Sequence, residues 1–164
     1  TYGETPFYPN VRIDLSNIGT DPVRLHALEV AGRRKYSRSW FAHANEEGEQ
    51  ETVVDPKGYV APPLDGIWAS APYLHNGSIP TLWHLLHPDK RPDIWKPKGE
   101  EFDEKLVGLK IKEVTEIPSA EPDVAIRRSY FNTGISGKSN AGHDYPAILT
   151  DRQREALLEY LKTL

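Results

Sequence analysis

Apolar residues repeat with a helical period at only a few places along this chain, and the clearest is at its end. Ala156, Leu157, Leu158, Tyr160, Leu161 and Leu164 share one face of a 3.6-residue repeat, behind Thr150 and Gln153 in the spacing of a capping box. The pattern predicts a helix from about 151 to 163. Thr20-Asp21-Pro22 offers a capping side chain followed by proline at the first helical position. Val23, Leu25, Leu28 and Val30 carry that element to a stop at Gly32. Ser37 to Ala44, with Trp40 and Phe41, adds another turn or two of helix. Thr81 caps a further helix over Leu82 to His87, which ends before Pro88 and buries Leu82, Leu85 and Leu86.

Elsewhere the pattern is irregular or has a period of two. Pro6, Pro9, Gly3 and Gly19 leave residues 1 to 20 without a helix, with one extended piece at Val11 to Leu15. Short extended pieces follow between Phe102 and Ile117, including Val107 to Lys112, and an alternating run covers Val124 to Phe131. The expected fold class is mainly α and loop-rich, with little β. No repeat, low-complexity tract or long linker divides the chain, so residues 1–164 are expected to form a single domain.

Composition sharpens this outline. The 164 residues include 14 Pro and 12 Gly, which favours long ordered loops over regular elements. The net charge of -4 mixes both signs, with a basic run at Arg33-Arg34-Lys35 and an acidic one from Glu46 to Glu51. No basic face is available for nucleic acid, and no run of 18 apolar residues for a membrane span. The absence of cysteine excludes disulfides, thiolate zinc sites and thiol nucleophiles, and the absence of methionine excludes a thioether ligand. The opening at Thr1, without initiator methionine or apolar signal segment, reads as a processed or truncated product.

The densest chemistry lies between Pro63 and Leu82, in Pro63-Leu64-Asp65-Gly66-Ile67-Trp68-Ala69-Ser70-Ala71-Pro72-Tyr73-Leu74-His75-Asn76-Gly77-Ser78-Ile79-Pro80-Thr81-Leu82. Three prolines and two glycines rule out one continuous helix. A loop carrying Trp68, Tyr73, Leu74 and His75 must bury them to offset its ordering entropy, against a flat conjugated cofactor or against an ordinary core. A second candidate is His143, in the small-residue loop Asn140-Ala141-Gly142-His143-Asp144-Tyr145-Pro146. Glycine beside a histidine lets a planar ligand approach the backbone. Haem proteins of the c type present a distal iron ligand from such loops, and with no methionine here an imidazole must serve. The plainer alternative is a histidine hydrogen-bonded in a turn.

Other motifs are weaker. Gly134 to Ser139 superficially resembles a phosphate loop, but Asn132 stands where the first glycine belongs. There is no nucleophile elbow and no H-E-x-x-H helix for a hydrolase. His75, His84 and His87 could form a metal set but lack an acidic partner to orient them, so surface or helix-end histidines are the simpler reading. The sequon Asn76-Gly77-Ser78 falls in a loop expected to be buried.

Taken in order, Ile18-Gly19-Thr20-Asp21-Pro22-Val23-Arg24, Leu64 to Ala69, Ala71 to Leu82 and Gly137 to Tyr145 resemble the signature of dihaem c-type cytochromes of the cytochrome c peroxidase superfamily. The rubber oxygenase type A group is the most similar branch. The resemblance implies haem c as cofactor, His143 as the distal iron ligand with His75 as the alternative, and Trp68, Tyr73 and His75 along the haem edge or propionates. Asn140 and Gly142 complete the implied cofactor-binding set. The chain departs from the family in lacking Cys-x-x-Cys-His, which in similar proteins lies just upstream of a segment like Thr1-Tyr2-Gly3. The chain is thus expected to be the part of a haem c domain downstream of its attachment motif. That motif would sit on the remainder of the domain or on a separate chain.

The implied function is electron transfer within a periplasmic or secreted multihaem oxidoreductase, peroxidase-like or oxygenase-like, with a redox partner protein. A second imidazole closes the iron to substrate, so this chain alone is not expected to be catalytic. A haem-free structural or interaction module is the alternative. A porphyrin-sized slot is expected between the His143 bend and the Trp68 turn.

Overall fold

The computed structural model describes residues 11–39, 56–119 and 122–164. Trp40, Phe41 and the acidic run from Glu46 to Glu51 lie outside them, as does most of the helix expected over Ser37 to Ala44. Strand β1 (Arg12–Asp14) leads into a single helical turn, α1 (Leu15–Ile18). Asp21 then opens α2 (Val23–His26), its Oδ1 accepting the Val23 amide at 2.9 Å. Gly32 does not stop a helix: the chain breaks earlier, after His26, and Gly32 sits inside α3 (Val30–Ser37) against the Leu28 side chain. Strand β2 (Gly58–Val60) pairs antiparallel with β1, in the register Arg12 to Val60 and Asp14 to Gly58.

The core is organised around α4 (Leu82–Leu86). Thr81 is its N-cap as the sequence predicts, with Oγ1 accepting the His84 amide at 3.1 Å. The first-turn amides that a helix leaves unpaired are taken up from outside: Leu82 donates to the Val107 carbonyl at 2.9 Å and Trp83 to the Leu106 carbonyl at 3.1 Å. Both carbonyls belong to the turn between β3 (Ile94–Asp103) and β4 (Gly108–Glu113), an antiparallel hairpin to which β5 (Phe131–Asn132) adds a third strand beside β3. Asp103 builds that turn by accepting the Lys105 and Leu106 amides on Oδ1. Gly108 is required there, since a Cβ would lie 2.4 Å from the Pro80 carbonyl oxygen.

Against α4 pack Tyr73, Ile79, Val107 and the inner face of α6 (Asp151–Leu161), which contributes Leu158 and Leu161. The capping box of α6 forms as predicted, Thr150 and Gln153 satisfying each other's backbone amides. The buried face of α4 is Leu82, His84 and Leu86; Leu85 is only half-buried.

Two further expectations fail. Among the described residues the structure is 34% helical with 20% strand, in two antiparallel sheets and six short helices, so the fold is not mainly α with little β. The β3–β4 hairpin accounts for most of the difference. Of β3 only Trp95 is buried, and the Lys- and Glu-rich remainder leaves no apolar alternation to reveal it. The alternating run from Val124 is instead α5 (Val124–Arg128), because Asp123 accepts the Ala125 amide at 2.7 Å and starts a helical turn. Only Phe131 and Asn132 pair as strand.

Leu82 is wholly buried at the centre of this packing. Replacement Leu82→Ala is expected to lower unfolding free energy by about 2–5 kcal/mol, measured by chemical denaturation.

Candidate functional site

The candidate residues lie on two irregular segments, 66–79 and 137–145, held together by side chains that satisfy their backbone. Asn76 donates its amide to the carbonyls of Gly137 (3.3 Å) and Ser139 (2.9 Å) and accepts the Ser78 amide on Oδ1. Asp21 accepts the Ser139 amide at 3.1 Å on the oxygen not used for α2. Burial acts to raise the Asp21 pKa, but the amides of Val23, Ser139 and Gly137 outweigh it and keep the carboxyl below its usual value. The sequon is spent in this network: the Asn76 amide is engaged and Ser78 is fully buried. The Gly134–Ser139 stretch is likewise a packed turn, with Gly137 against Val23 and Lys138 over the Phe131 ring at 5.1 Å.

His75 follows Leu74, whose φ of +64° is left-handed, and its ring stacks on Tyr59 at 5.1 Å between centroids. Its Nε2 is buried with no hydrogen-bond partner. Burial first, and then the neighbouring Arg24 charge, hold the His75 pKa below its ordinary value. Arg24 itself donates to the His75 carbonyl.

His143 also has a left-handed backbone, φ +54°, next to Gly142 at +86°. Non-glycine residues in that region cost about 1–3 kcal/mol and persist only where surroundings dictate them. Here the His143 amide donates to the Ile18 carbonyl at 2.9 Å and its carbonyl accepts from Arg91 at 3.3 Å. Its ring nitrogens bond to no described residue. Burial lowers its pKa, with the charges of Arg91 and His75 adding in the same direction, so both imidazoles favour the neutral form. Gly142 abuts Gly19 so closely that a Cβ would sit 2.5 Å from the Gly19 carbonyl carbon and from the Thr20 nitrogen.

Arg91 is the residue that sequence reasoning misses. Its side chain is 4% exposed. Nη1 donates to the carbonyls of Asn140 (2.8 Å) and Gly142 (2.7 Å) and to the Asp144 carboxylate (3.1 Å). Nη2 reaches the carbonyls of His143 and Leu85. The only signal in the sequence is an arginine between Pro88 and Pro92, just past the helix expected over Leu82 to His87. Asn140 is tied as well, Nδ2 donating to the Pro92 carbonyl at 3.1 Å.

Trp68 and Tyr73 stand apart from this group. Tyr73 is a core residue whose hydroxyl donates to the carbonyl of Ile67 at 3.0 Å, with that of Trp68 at 3.4 Å. Burial raises its pKa to about 12. Trp68 is half-exposed, beside a cleft of about 370 Å³ lined also by Phe102, Glu104, Val107 and Lys162. Asn140 borders a different cleft of about 530 Å³ with Arg91, Asp144 and Arg154.

The His75, His84 and His87 set does not assemble. His84 Nδ1 lies 2.7 Å from the Thr81 hydroxyl, and His87 Nδ1 2.8 Å from the Trp83 carbonyl with its ring stacked on Trp83. Among the described residues no group of three or more His, Cys, Asp or Glu side chains could hold a bare metal ion. A porphyrin iron makes a smaller demand, because the macrocycle brings four nitrogens and the protein adds only axial ligands. The neutral imidazoles of His75 and His143, one with a buried unpartnered Nε2, fit that demand. Covalent attachment does not fit these residues, which include no cysteine.

Two measurements check this geometry. Gly142→Ala is expected to destabilise the fold by about 2 kcal/mol or more, through the clash and the left-handed backbone. Gly66→Ala, at φ +70° with open space around it, should cost less in the same thermal denaturation. Burial depresses the His84 pKa to about 4, and the Glu113 carboxylate 3.9 Å from Nε2 does not reverse it. The unfolded chain therefore binds this proton more readily. Stability should fall as pH drops below about 6.5 and level off below about 4, by up to about 3 kcal/mol. His84→Gln should flatten that slope in denaturation curves taken across this range.

Comparison with known proteins adds to the geometry. The chain is similar to two proteins of Sinorhizobium fredii (strain NBRC 101917 / NGR234). It is 35% identical over 125 residues to the uncharacterized protein y4iM, covering 68% of this chain and 28% of that protein. It is 36% identical over 127 residues to the uncharacterized protein y4iJ, covering 70% of this chain and 19% of that protein. The similarity therefore spans less than a third of either relative's length. No helix among the described residues is long and apolar enough to cross a membrane. Residues 58–96, about a quarter of the chain, match the model of the RoxA-like, cytochrome c-like family; they include Trp68, Tyr73, His75 and Arg91 but not His143.

Proposed function

We propose that residues 1–164 are a single unit of a haem c domain, supplying the axial imidazole from His143 while the haem is attached through Cys-x-x-Cys-His outside these residues. The observation that carries this reading is the presentation of His143: its backbone is bonded on both sides, to Ile18 and Arg91, while its ring nitrogens meet no described partner. The depressed pKa supports the same role, since ligation requires the neutral ring.

Bound at this site, haem iron supplies one-electron redox chemistry. The chain's own part is to orient the ligand and to hold the two loops against each other through Asn76, Asp21 and Arg91. We read the parent protein as a periplasmic or secreted multihaem oxidoreductase of dihaem peroxidase or oxygenase type. These residues would relay electrons to a redox partner protein.

A second reading places His75 at the iron. It is favoured by the buried, unpartnered Nε2, on a ring held in place by stacking on Tyr59. Expression of the natural polypeptide together with its upstream sequence distinguishes the two. His143→Ala should abolish a low-spin bis-imidazole spectrum that His75→Ala retains; the opposite result transfers the ligand role to His75. A pyridine haemochrome assay finding no covalent haem in the natural protein would instead favour a haem-free interaction module.

A further inference from the structure

We infer that Arg91 is a positioning residue for this site: one buried guanidinium binds the carbonyls of Asn140, Gly142 and His143 and so fixes the direction in which their loop presents the His143 imidazole. The inference rests on the reading of His143 as the axial ligand, which it deepens.

The loop has little internal structure to hold that direction. Within it the Ala141 amide bonds to the Ser139 hydroxyl at 3.1 Å, and Gly142 and His143 are both left-handed. Its carbonyls would be left unsatisfied if the guanidinium were withdrawn, a costly state for a buried acceptor. Arginine suits the task because its planar fork aims several N–H groups at fixed angles, whereas a lysine ammonium donates from a single point. Nη1 takes Asn140 and Gly142, and Nη2 takes His143 together with Leu85, whose carbonyl lies in α4. The ligand loop is thereby pinned to the helix at the centre of the core.

The Asp144 partner does not explain the burial. Its carboxylate is 63% exposed, and an ion pair with so exposed a member contributes little. The carbonyls are the reason for the guanidinium's place. The Pro88–Lys90 turn and Pro92 set the Arg91 backbone on either side, so the side chain enters from a stiff support.

The test uses the full natural polypeptide with its haem-attachment segment, comparing Arg91→Lys, Arg91→Gln and a core control, Leu158→Ala. Both Arg91 variants should speed exchange of the His143 amide at least tenfold more than that of the α6 amides, and should broaden or shift the low-spin axial signal in electron paramagnetic resonance. Leu158→Ala should lower the melting temperature without either change. Uniform acceleration of all amides in the Arg91 variants, or wild-type behaviour of Arg91→Lys, would overturn the inference. So would an unchanged axial signal in Arg91→Gln when His143→Ala does alter it. If His143→Ala leaves the signal intact, the ligand reading fails by itself, while selective exchange at His143 would still establish that Arg91 holds the loop.

Discussion

The two segments that form the site have almost no regular secondary structure, so their buried backbone groups must find partners among side chains. Asp21, Asn76 and Arg91 meet that requirement from three distant parts of the chain. Asp21 supplies acceptors to the start of α2 and to Ser139, Asn76 supplies donors to Gly137 and Ser139, and Arg91 supplies donors to residues 140–143. Removing any one leaves unpaired groups on a neighbouring segment as well as its own. The geometry around both histidines follows from this set of bonds more than from apolar packing.

The same economy appears at the junction of α4 with the β3–β4 hairpin. The helix is short and gains little from propensity, yet its first-turn amides are paired by Val107, Leu106 and Thr81. The hairpin is polar over most of its length and could not stand alone, but its turn is held by those same bonds and its open end by Trp95, which pairs with Glu113 and whose Nε1 donates to the Ser78 carbonyl at 3.1 Å. Each element completes the other, and the loop carrying His75 leads directly into the shared junction.

Elements stabilised by bonds between near neighbours in sequence were legible in advance. The Thr150–Gln153 capping box and the Thr81 cap announce α6 and α4, because the acceptor and the amide it serves lie three residues apart. His75 and His143 were legible as candidates from their glycine- and proline-rich settings. The hairpin is half legible: Val107 to Lys112 reads as extended, but its partner β3 buries only Trp95 and so shows no alternation. The run from Val124 misled because its alternation is real while the Asp123 cap, a local bond, overrides it. Arg91 could not be foreseen at all, since its partners other than Leu85 lie about 50 residues away and an isolated arginine carries no pattern. Trp68 and Tyr73 attracted notice as aromatics of one loop, but the fold sends one ring into the core and leaves the other half-exposed.

The contact of Gly142 with Gly19 bears on how the molecule is assembled. The two residues are separated by most of the chain, and the bonds from Ile18 to His143 and from Asp21 to Ser139 bridge similar distances. Closing so wide a gap carries a large entropic toll that neighbouring helices and hairpins avoid. During synthesis the segment around Gly19 emerges from the ribosome long before its counterpart exists. The imidazole-bearing bend is therefore among the last features to take shape, after the central helix and its hairpin have already formed a platform to receive it.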